Sequence, residues 1–541
     1  MNKVTSLLLT VFAVVLFNSC DKSEPTPDPG PEFISIRDFS LDSKAASFNY
    51  SGTSLTPQLT IKFSEPIDRN SAAAAITMAA ATLDFSFSNG DSTVSAKPIA
   101  PLKYLTAYAF VVSNQLTSTT GKNPDAGTAI RVVTQFDPAT KKPPITKDAL
   151  LDLVQKQTIK YFYDYAHPTS GMARERLGSG NTVTTGGTGF GIMALIVGME
   201  RDFIPHDAGI QHFNKLVRFL EKADRFHGAW PHWIDGATGK VIPFSTKDNG
   251  GDLVETSFLV QGLITLRQYL QPADTVGNNL INRINTLWTT VEWDWYRKNN
   301  ENVLYWHWSP NFNWDMNFPL YGYFEEQVTY ILAAASPTHG IPKVVYTNGY
   351  GKNGAIVKNN TFFNVKLPLE SPAPLFWVQY SYLGMDPHFS DDYANYWEQN
   401  VNATKINEAY CIANPKKYYG YSDNCWGLTA SDNQDGYDAH SPGNDLGVIS
   451  PTAALSSFPY LPDESAKALE FFYYTLGDKL WGDYGFYDAF SLSSPWFANS
   501  YLAIDQGPIV VMIENYRTGL LWELFMSAPE IEQAKTVLDI H

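Results

Sequence analysis

The spacing of apolar residues changes once along the chain, and that change limits the folds open to it. Between Phe33 and about Phe136, the stretches PQLTIKFSEPID, TLDFSFSNGDSTVSA and YAFVVSNQL alternate apolar and polar residues between turn-forming clusters such as NGD and TGKNPDAG. A period of two puts one face of each stretch into a core, so residues 33–136 are predicted to form a small all-β, immunoglobulin-like sandwich of short strands. The Pro- and Lys-rich segment DPATKKPPITKD follows as a linker (137–145 up to the first cap), and the spacing then becomes helical. Thr146 is a good N-cap for a first helix, LLDLVQKQTIKYFYDYA. Eleven further helical candidates lie at 191–203, 208–226, 253–270, 279–296, 325–335, 374–384, 391–410, 450–458, 462–476, 508–526 and 529–538. Long loops crowded with Trp, Gly, Asp and Pro join them, and loops of that length are costly unless they carry function. A dozen helices over 146–541 fit an (α/α)6 barrel, six inner helices ringed by six outer ones, with an active centre at one mouth. A helical solenoid would repeat at a fixed period, and no such repeat is present.

The first twenty residues, MNKVTSLLLTVFAVVLFNSC, place Lys3 ahead of an apolar run from Leu7 to Phe17 that is too short to span a bilayer. Residues 1–20 are therefore expected to be a signal peptide. Its ending at Cys20 resembles a bacterial lipobox, which makes that cysteine the lipidated first residue of an exported lipoprotein, anchored to the outer membrane on its periplasmic or outward face. Residues 21–32, DKSEPTPDPGPE, form a Pro-rich acidic tether. No later stretch offers eighteen consecutive apolar residues, so the lipid at Cys20 is the expected membrane attachment. The two remaining cysteines, Cys411 and Cys425, either pair in this oxidising compartment or stay as buried thiols.

Lys and Arg number 39 against 55 Asp and Glu, a formal charge of -16. Such a surface repels a polyphosphate backbone, which excludes nucleic acid as a partner. Aromatic residues make up 14% of the chain and charged residues only 17%, so rings and uncharged polar groups must cover much of the surface. That balance suits a neutral, hydroxyl-rich ligand such as a glycan, whose ring faces stack on aromatics. Rings filling a large core would produce the same statistic.

Three acidic constellations lie among aromatic residues. In HGAWPHWIDGATGKVIPFSTKDNGGDLVETSF, Asp248, Asp252 and Glu255 stand at spacings of four and three beside Trp230, His232 and Trp233. If a helix begins near Gly251, its dipole favours ionised carboxylates there, which suits a base; plain N-capping by Asp252 explains the same pattern. Glu325 and Glu326 open EEQVTYILAAASPTH after an aromatic loop. Adjacent helical residues point about 100° apart, so one is expected to face the centre as a general acid raised by burial, and the other to be a solvated helix-start charge at the cleft. Asp505, in SPWFANSYLAIDQGP, has Trp496, Phe497 and Tyr501 for company, or serves only as a helix cap. Downstream, Glu514 and Arg517 are spaced as an ion pair. GGTGFG, at 186–191, lacks the flanking strand and Lys of a phosphate loop and fits close helix packing instead. Asp432, Asp435 and Asp438 lack the alternation of a calcium loop, His227 and His232 lack zinc-protease spacing, and there is no G-x-S-x-G elbow. Neither metal nor cofactor is expected.

The blocks GTGFGIMALIVGMERDFI, GAWPHWIDGATGKVIPFSTKDNGGDLVETSFLVQGLITLRQY, YILAAASPTH, NCWGLTASDNQDGY and FANSYLAIDQGPIVVMIENYRTGLLWELFM resemble the bacterial glucoamylase-like domain family, which includes the β-1,2-glucanases of glycoside hydrolase family 144. PQLTIKFSEPID with the later YAFVVS strand resembles the bacterial immunoglobulin-like modules of exported enzymes. The first resemblance covers about residues 146–541 and implies an (α/α)6 barrel cleaving β-1,2-glucan with inversion, to sophorose or to short oligosaccharides. Carried over by motif, the site acids are Asp248, Asp252, Glu255, Glu325 and Asp505, with FEEQ here where relatives usually read NEAM. Glu325 is then the expected acid, and Asp505 or one of the Asp248, Asp252 and Glu255 group the base. Trp230, His232, Trp233, Glu326, Trp426, Trp496 and Phe497 are expected to meet substrate. The competing expectations are a non-catalytic glycan-binding lipoprotein and a hydrolase of another glucan on the same fold.

Overall fold

A computed structural model describes residues 32–541, so the expected signal peptide, Cys20 and nearly all of the tether lie outside the described residues. The chain divides into two compact units. One comprises the described residues up to Asn49 together with Thr56–Pro101 and Ala109–Arg131; the other comprises Tyr50–Leu55, Leu102–Tyr108 and Val132–His541.

The strand-rich part contains two four-stranded sheets, ordered Ile36–Leu41, Leu59–Phe63, Thr93–Pro98, Leu83–Ser88 and Asn49–Thr53, Thr128–Thr134, Ala107–Val112, Ile76–Met78. Leu59 and Ile61 pair antiparallel with Ala96 and Val94. Leu59, Ile61 and Phe63 are buried while Lys62 between them is exposed, the alternation expected of a strand with one face on a core.

The larger unit is helical. Thr146 caps the helix Lys147–Tyr163, its Oγ accepting the Ala149 N–H at 3.3 Å. Two kinds of helix then alternate along the chain. Thr185–Glu200, Leu253–Tyr269, Gln327–Ala335, Pro451–Leu455 and Ala503–Arg517 are buried on nearly every side. His206–Leu220, Thr275–Thr289 and Pro462–Glu470 bury one stripe each, such as Phe213, Leu216, Val217 and Leu220. Apolar residues all round belong to the centre of a helical assembly, and a single stripe to its periphery.

The central helices approach closely through glycine. A Cβ on Gly189 would fall 2.1 Å from the Phe258 carbonyl oxygen, and one on Gly262 would fall 2.3 Å from that of Gly189. The GGTGFG segment is thus a helix-packing surface. Among the described residues no helix is long and apolar enough to cross a membrane.

Several expected elements differ. Residues 374–384 form only the 3-10 turn Leu375–Val378, and 508–526 is two helices, Ala503–Arg517 and Leu520–Met526, broken at Gly519 with φ +76°. The helix of the glutamate pair starts at Gln327, so Glu325 and Glu326 precede it. Residues 357–369, expected as loop, form the hairpin Val357–Phe362 with Val365–Leu369. Cys411 and Cys425 are both free and buried, so no disulfide links them, and burial pushes both thiols up. Glu514 and Arg517 do not pair with each other. Glu514 binds Arg201 at 2.9 Å and Arg517 binds Asp152 at 2.6 Å, because each side chain points toward a neighbouring helix.

Candidate active site

Asp252 caps the helix Leu253–Tyr269, its Oδ1 accepting the Glu255 N–H at 2.9 Å. Capping does not exhaust it. Its Oδ2 accepts a hydrogen bond from His232 Nδ1 at 2.9 Å and lies 3.6 Å from His307 Nε2. The two-residue strand His307–Trp308 pairs antiparallel with Gly251–Asp252, which sets His307 opposite Asp252 and 3.1 Å from Asp248 Oδ2. Burial works against charge on Asp252, yet the two histidines hold its carboxyl well below the usual range. Burial likewise opposes charge on His232, but Glu255 and Asp252 outweigh it and lift the imidazole to about 9. His307 reaches about 9 in the same way, against burial, through Asp248 and Asp252. Ligand atoms of His232, Asp248 and Asp252 lie within 4.8 Å of one another, close enough to share a cation. The imidazolium charges of His232 and His307 already balance the two aspartates there.

Glu255 reaches the start of the helix Thr185–Glu200, its Oε2 accepting the Gly186 N–H at 2.6 Å and the Thr184 hydroxyl at 3.3 Å. It lines a cavity of about 440 Å³ with His232, Trp233, Phe244, Trp306, Glu325, Tyr380 and Tyr437. Phe244 stacks on the His232 ring with centroids 4.1 Å apart, making an aromatic wall. Burial pushes the Glu255 carboxyl up, and Glu325, in the same lining, is a masked acid. Burial pushes its carboxyl up to about 8, and the charges of Glu255 and Asp252 add to the rise.

Asp505 lies in the first turn of Ala503–Arg517, next to the cavity-lining Ile504, and is 2% exposed; burial pushes its carboxyl well up. It does not cap the helix, and neither carboxyl oxygen meets a protein donor. Tyr380 and Tyr437, both on the cavity wall, feel the charge of Asp505 and of Glu325. Beyond Tyr437 a second cavity of about 420 Å³ is lined by Arg176, Asp432, Trp496, Phe497 and Ser500, and the two cavities share Arg176 and Tyr437. Arg176 binds Glu175 at 2.9 Å and Asp432 at 3.0 Å.

His232, Trp233, Glu255 and Glu325 thus line the first cavity and Trp496 and Phe497 the second, while Asp248, Asp252 and Asp505 are buried and line neither. Three expected substrate contacts are elsewhere. Trp230 is fully buried beneath the Arg225 guanidinium, 4.1 Å from the ring, and Trp426 is fully buried with its indole N–H directed at the Glu464 carbonyl. Glu326 is also fully buried, with both carboxyl oxygens unpartnered, because its side chain turns away from the cavity into the core. Burial drives its carboxyl well up, so it is a neutral acid and not a solvated charge. Asp432 faces the second cavity while Asp438 binds Asn444, so the three aspartates of SDNQDGYDAH do not converge on a cation.

Sequence reasoning missed His307, Phe244, Trp306, Tyr380, Tyr437 and Arg176. His307 had a usable signal, a histidine between two tryptophans in WHW. Phe244 sits in a polar loop and Tyr437 in the strand Gly436–Ala439, and the folding of each back over the site is a long-range event.

The "Putative glucoamylase" family model matches residues 317–529, and a bacterial Ig-like domain model matches residues 42–136. The chain is 46% identical over 415 residues to an exo β-1,2-glucooligosaccharide sophorohydrolase (non-reducing end) of Parabacteroides distasonis, covering 72% of this chain and 58% of that protein's length. The endo-β-1,2-glucanase of Chitinophaga pinensis, solved with sophorotriose and glucose, is 55% identical with a TM-score of 0.72, over 74% of this chain and 99% of that one. A β-1,2-glucanase of Parabacteroides distasonis is 37% identical with a TM-score of 0.71, over 94% of this chain and 74% of that one. With nearly the full length of the Chitinophaga chain matched at that identity, this protein belongs to the bacterial glucoamylase-like family and carries a bacterial Ig-like domain ahead of the family region.

Proposed function

We propose that the protein is a glycoside hydrolase that cleaves β-1,2-glucan with inversion, on an (α/α)6 toroid whose inner helices are the five buried ones and the segment around Leu375–Val378. The observation that carries this reading is Glu325: a carboxyl raised to about 8 on the wall of an aromatic cavity, protonated at neutral pH and so able to donate to a leaving oxygen. The relatives named as β-1,2-glucan hydrolases support the substrate class.

Inversion needs a second carboxylate roughly 6.5 to 9.5 Å from the acid, holding water on the opposite face of the sugar. Asp252 is committed to His232, His307 and its own helix cap, and Glu255 to Gly186 and Thr184. Asp505 has no protein donor and directly follows the cavity-lining Ile504. It is the assigned base. The imidazoliums of His232 and His307 then fix Asp252 and Asp248 as acceptors for sugar hydroxyls. Trp233, Phe244, Tyr437, Trp496 and Phe497 offer ring faces along the two cavities.

Incubation with linear β-1,2-glucan is expected to release sophorose or a ladder of short oligosaccharides, which separates terminal from internal cleavage. No new reducing ends, with turnover instead on another glucan of a substrate panel, would overturn the reading. Attachment to a membrane through a lipid at Cys20 belongs to the same proposal. Cys20→Ala is expected to move the protein from the membrane to the soluble fraction of cells.

A further inference from the structure

Trp295 is the one tryptophan among the described residues that is exposed, at 41%, and it is held more firmly than a solvent-facing ring needs to be. Its ring stacks on that of His227 with centroids 3.7 Å apart and planes 12° from parallel. His227 is itself fixed. Its Nδ1 donates to Glu292 Oε2 at 2.9 Å, its carbonyl accepts the Glu292 N–H at 3.0 Å, and its backbone holds φ +49°, a left-handed conformation uncommon for a residue with a side chain. Trp308 meets the same imidazole edge-on at 4.8 Å. Trp314 lies 6.4 Å from Trp295 with its plane 32° away, and rests on the buried Tyr296 and Tyr305 at 6.0 and 5.8 Å. An indole that is both immobilised and open to water gives up side-chain freedom without the return of full burial. What it keeps is a flat apolar face, already oriented for a ligand that has one too.

The rings stand at the active-site end of the helical unit. His227 lies between the peripheral His206–Leu220 and the buried Leu253–Tyr269; Trp295, Trp308 and Trp314 lie between the peripheral Thr275–Thr289 and the buried Gln327–Ala335. Both loops therefore run to the start of a buried helix, the end at which Asp252 and Glu325 stand. The second loop also reaches the cavity itself. Trp306, on the cavity wall, precedes Trp308 by two residues, and Phe318, 47% exposed, packs edge-on against Trp306 at 5.4 Å. Amides border the platform: Asn299, Asn300 and Asn313 are exposed, and none makes a side-chain hydrogen bond among the described residues. The nearby acids are taken, Asp294 by His339 at 2.9 Å and Asp315 by Lys247 at 3.5 Å. Flat rings, free amides and paired charges together suit a neutral ligand rich in hydroxyls.

We propose that Trp295 and Trp314, with His227 beneath Trp295, form a second glycan-binding site that takes a distant stretch of a β-1,2-glucan chain while another stretch occupies the active site. This rests on the substrate class proposed above. None of the three residues lines either cavity, so the platform is separate from the subsites there. A short oligosaccharide fills the cavity without reaching it. A polymer engages both, and because its second contact is intramolecular once the first is made, the platform lowers KM for polymer alone.

The test measures retardation of the full-length protein in native gels containing linear β-1,2-glucan, in a Glu325→Gln background so that the gel is not digested. Alongside it, kcat and KM are measured on that polymer and on a short β-1,2-linked oligosaccharide with Glu325 intact. Trp295→Ala is expected to weaken retention about tenfold and to raise KM for the polymer about tenfold, with kcat on both substrates and KM on the oligosaccharide within about twofold of wild type. Trp295→Phe restores a ring face and is expected to recover most of the retention. No retardation without the Trp295 substitution, equal retardation with and without it, or an equal loss of kcat/KM on polymer and oligosaccharide overturns the proposal. Should Trp295→Ala not fold, Trp314→Ala decides by the same readouts. Retention does not depend on turnover. A protein that leaves β-1,2-glucan uncut yet is retarded by it through Trp295 keeps the platform and loses the proposed activity; one that cuts it with retardation indifferent to Trp295 keeps the activity and loses the platform.

Discussion

Glu325 and Glu326 are neighbours in sequence and opposites in environment. Glu325 titrates at about 8 on the cavity wall, so the protonated form that donates is present at lower pH and is lost as pH rises through about 8. The alkaline limb of the kcat/KM profile is expected there. Glu325→Gln should remove that limb and lower turnover on β-1,2-glucan by about 10² to 10⁴, and far less on an aryl glycoside whose leaving group needs little protonation. Glu326 behaves differently because it meets no solvent. Its folded-state pKa lies above the unfolded value of about 4.3, so the stability it contributes is full in acid and falls as pH rises above that point. Glu326→Gln, neutral at every pH, is expected to match wild type in urea midpoint near pH 4 and to exceed it increasingly at pH 7 and above. A wild-type-like pH dependence in that variant would show the carboxyl is not buried as a neutral acid. The sequence contained both glutamates and the reason one must be raised. It did not contain the direction of the second side chain, which depends on where the chain turns before Gln327.

At the scale of elements, the contact between Thr185–Glu200 and Leu253–Tyr269 is set by glycines. A methyl at Gly189 would meet the Phe258 carbonyl, which is backbone and cannot swing aside. Gly189→Ala is expected to cost about 1 to 3 kcal/mol or more, as overpacking does, measured as a lower denaturation midpoint. Gly443→Ala, whose new methyl would meet only the Ser441 hydroxyl at 3.8 Å, should leave the midpoint unchanged. Elements with one buried face were legible, as at Leu59–Phe63 and His206–Leu220, because alternation and helical spacing both need a polar side to be seen. PLFWVQYSYLG had none. An apolar run buried on all sides carries no period, and it folds as the single turn Leu375–Val378. The cap at Thr146 was readable because its donor is three residues away; the capping by Asp252 was readable, but its imidazole partners 20 and 55 positions distant were not.

At the scale of the whole molecule, a charge of -16 predicts that duplex DNA causes no mobility shift even at low ionic strength. The two free thiols give a second test. Cys411 and Cys425 are expected to resist a thiol reagent in the native protein, to react fully on unfolding, and to leave the denaturation midpoint unchanged by reductant. A disulfide closing that loop would instead make reduction cost about 3 kcal/mol. What the sequence determined by itself was local or additive: the succession of a strand region and a helical region, the net acidic charge, and the residue types able to exchange protons. Propensity, periodicity and charge are properties of short windows or of sums, and they survive without a fold. Only the tertiary structure decided which of three acid groups share a cavity, that Trp230 and Trp426 are core, and that His307 lies against Asp252. Each of these joins residues far apart in sequence through burial, and burial is what turns an ordinary carboxyl into a masked acid or an ion-paired acceptor.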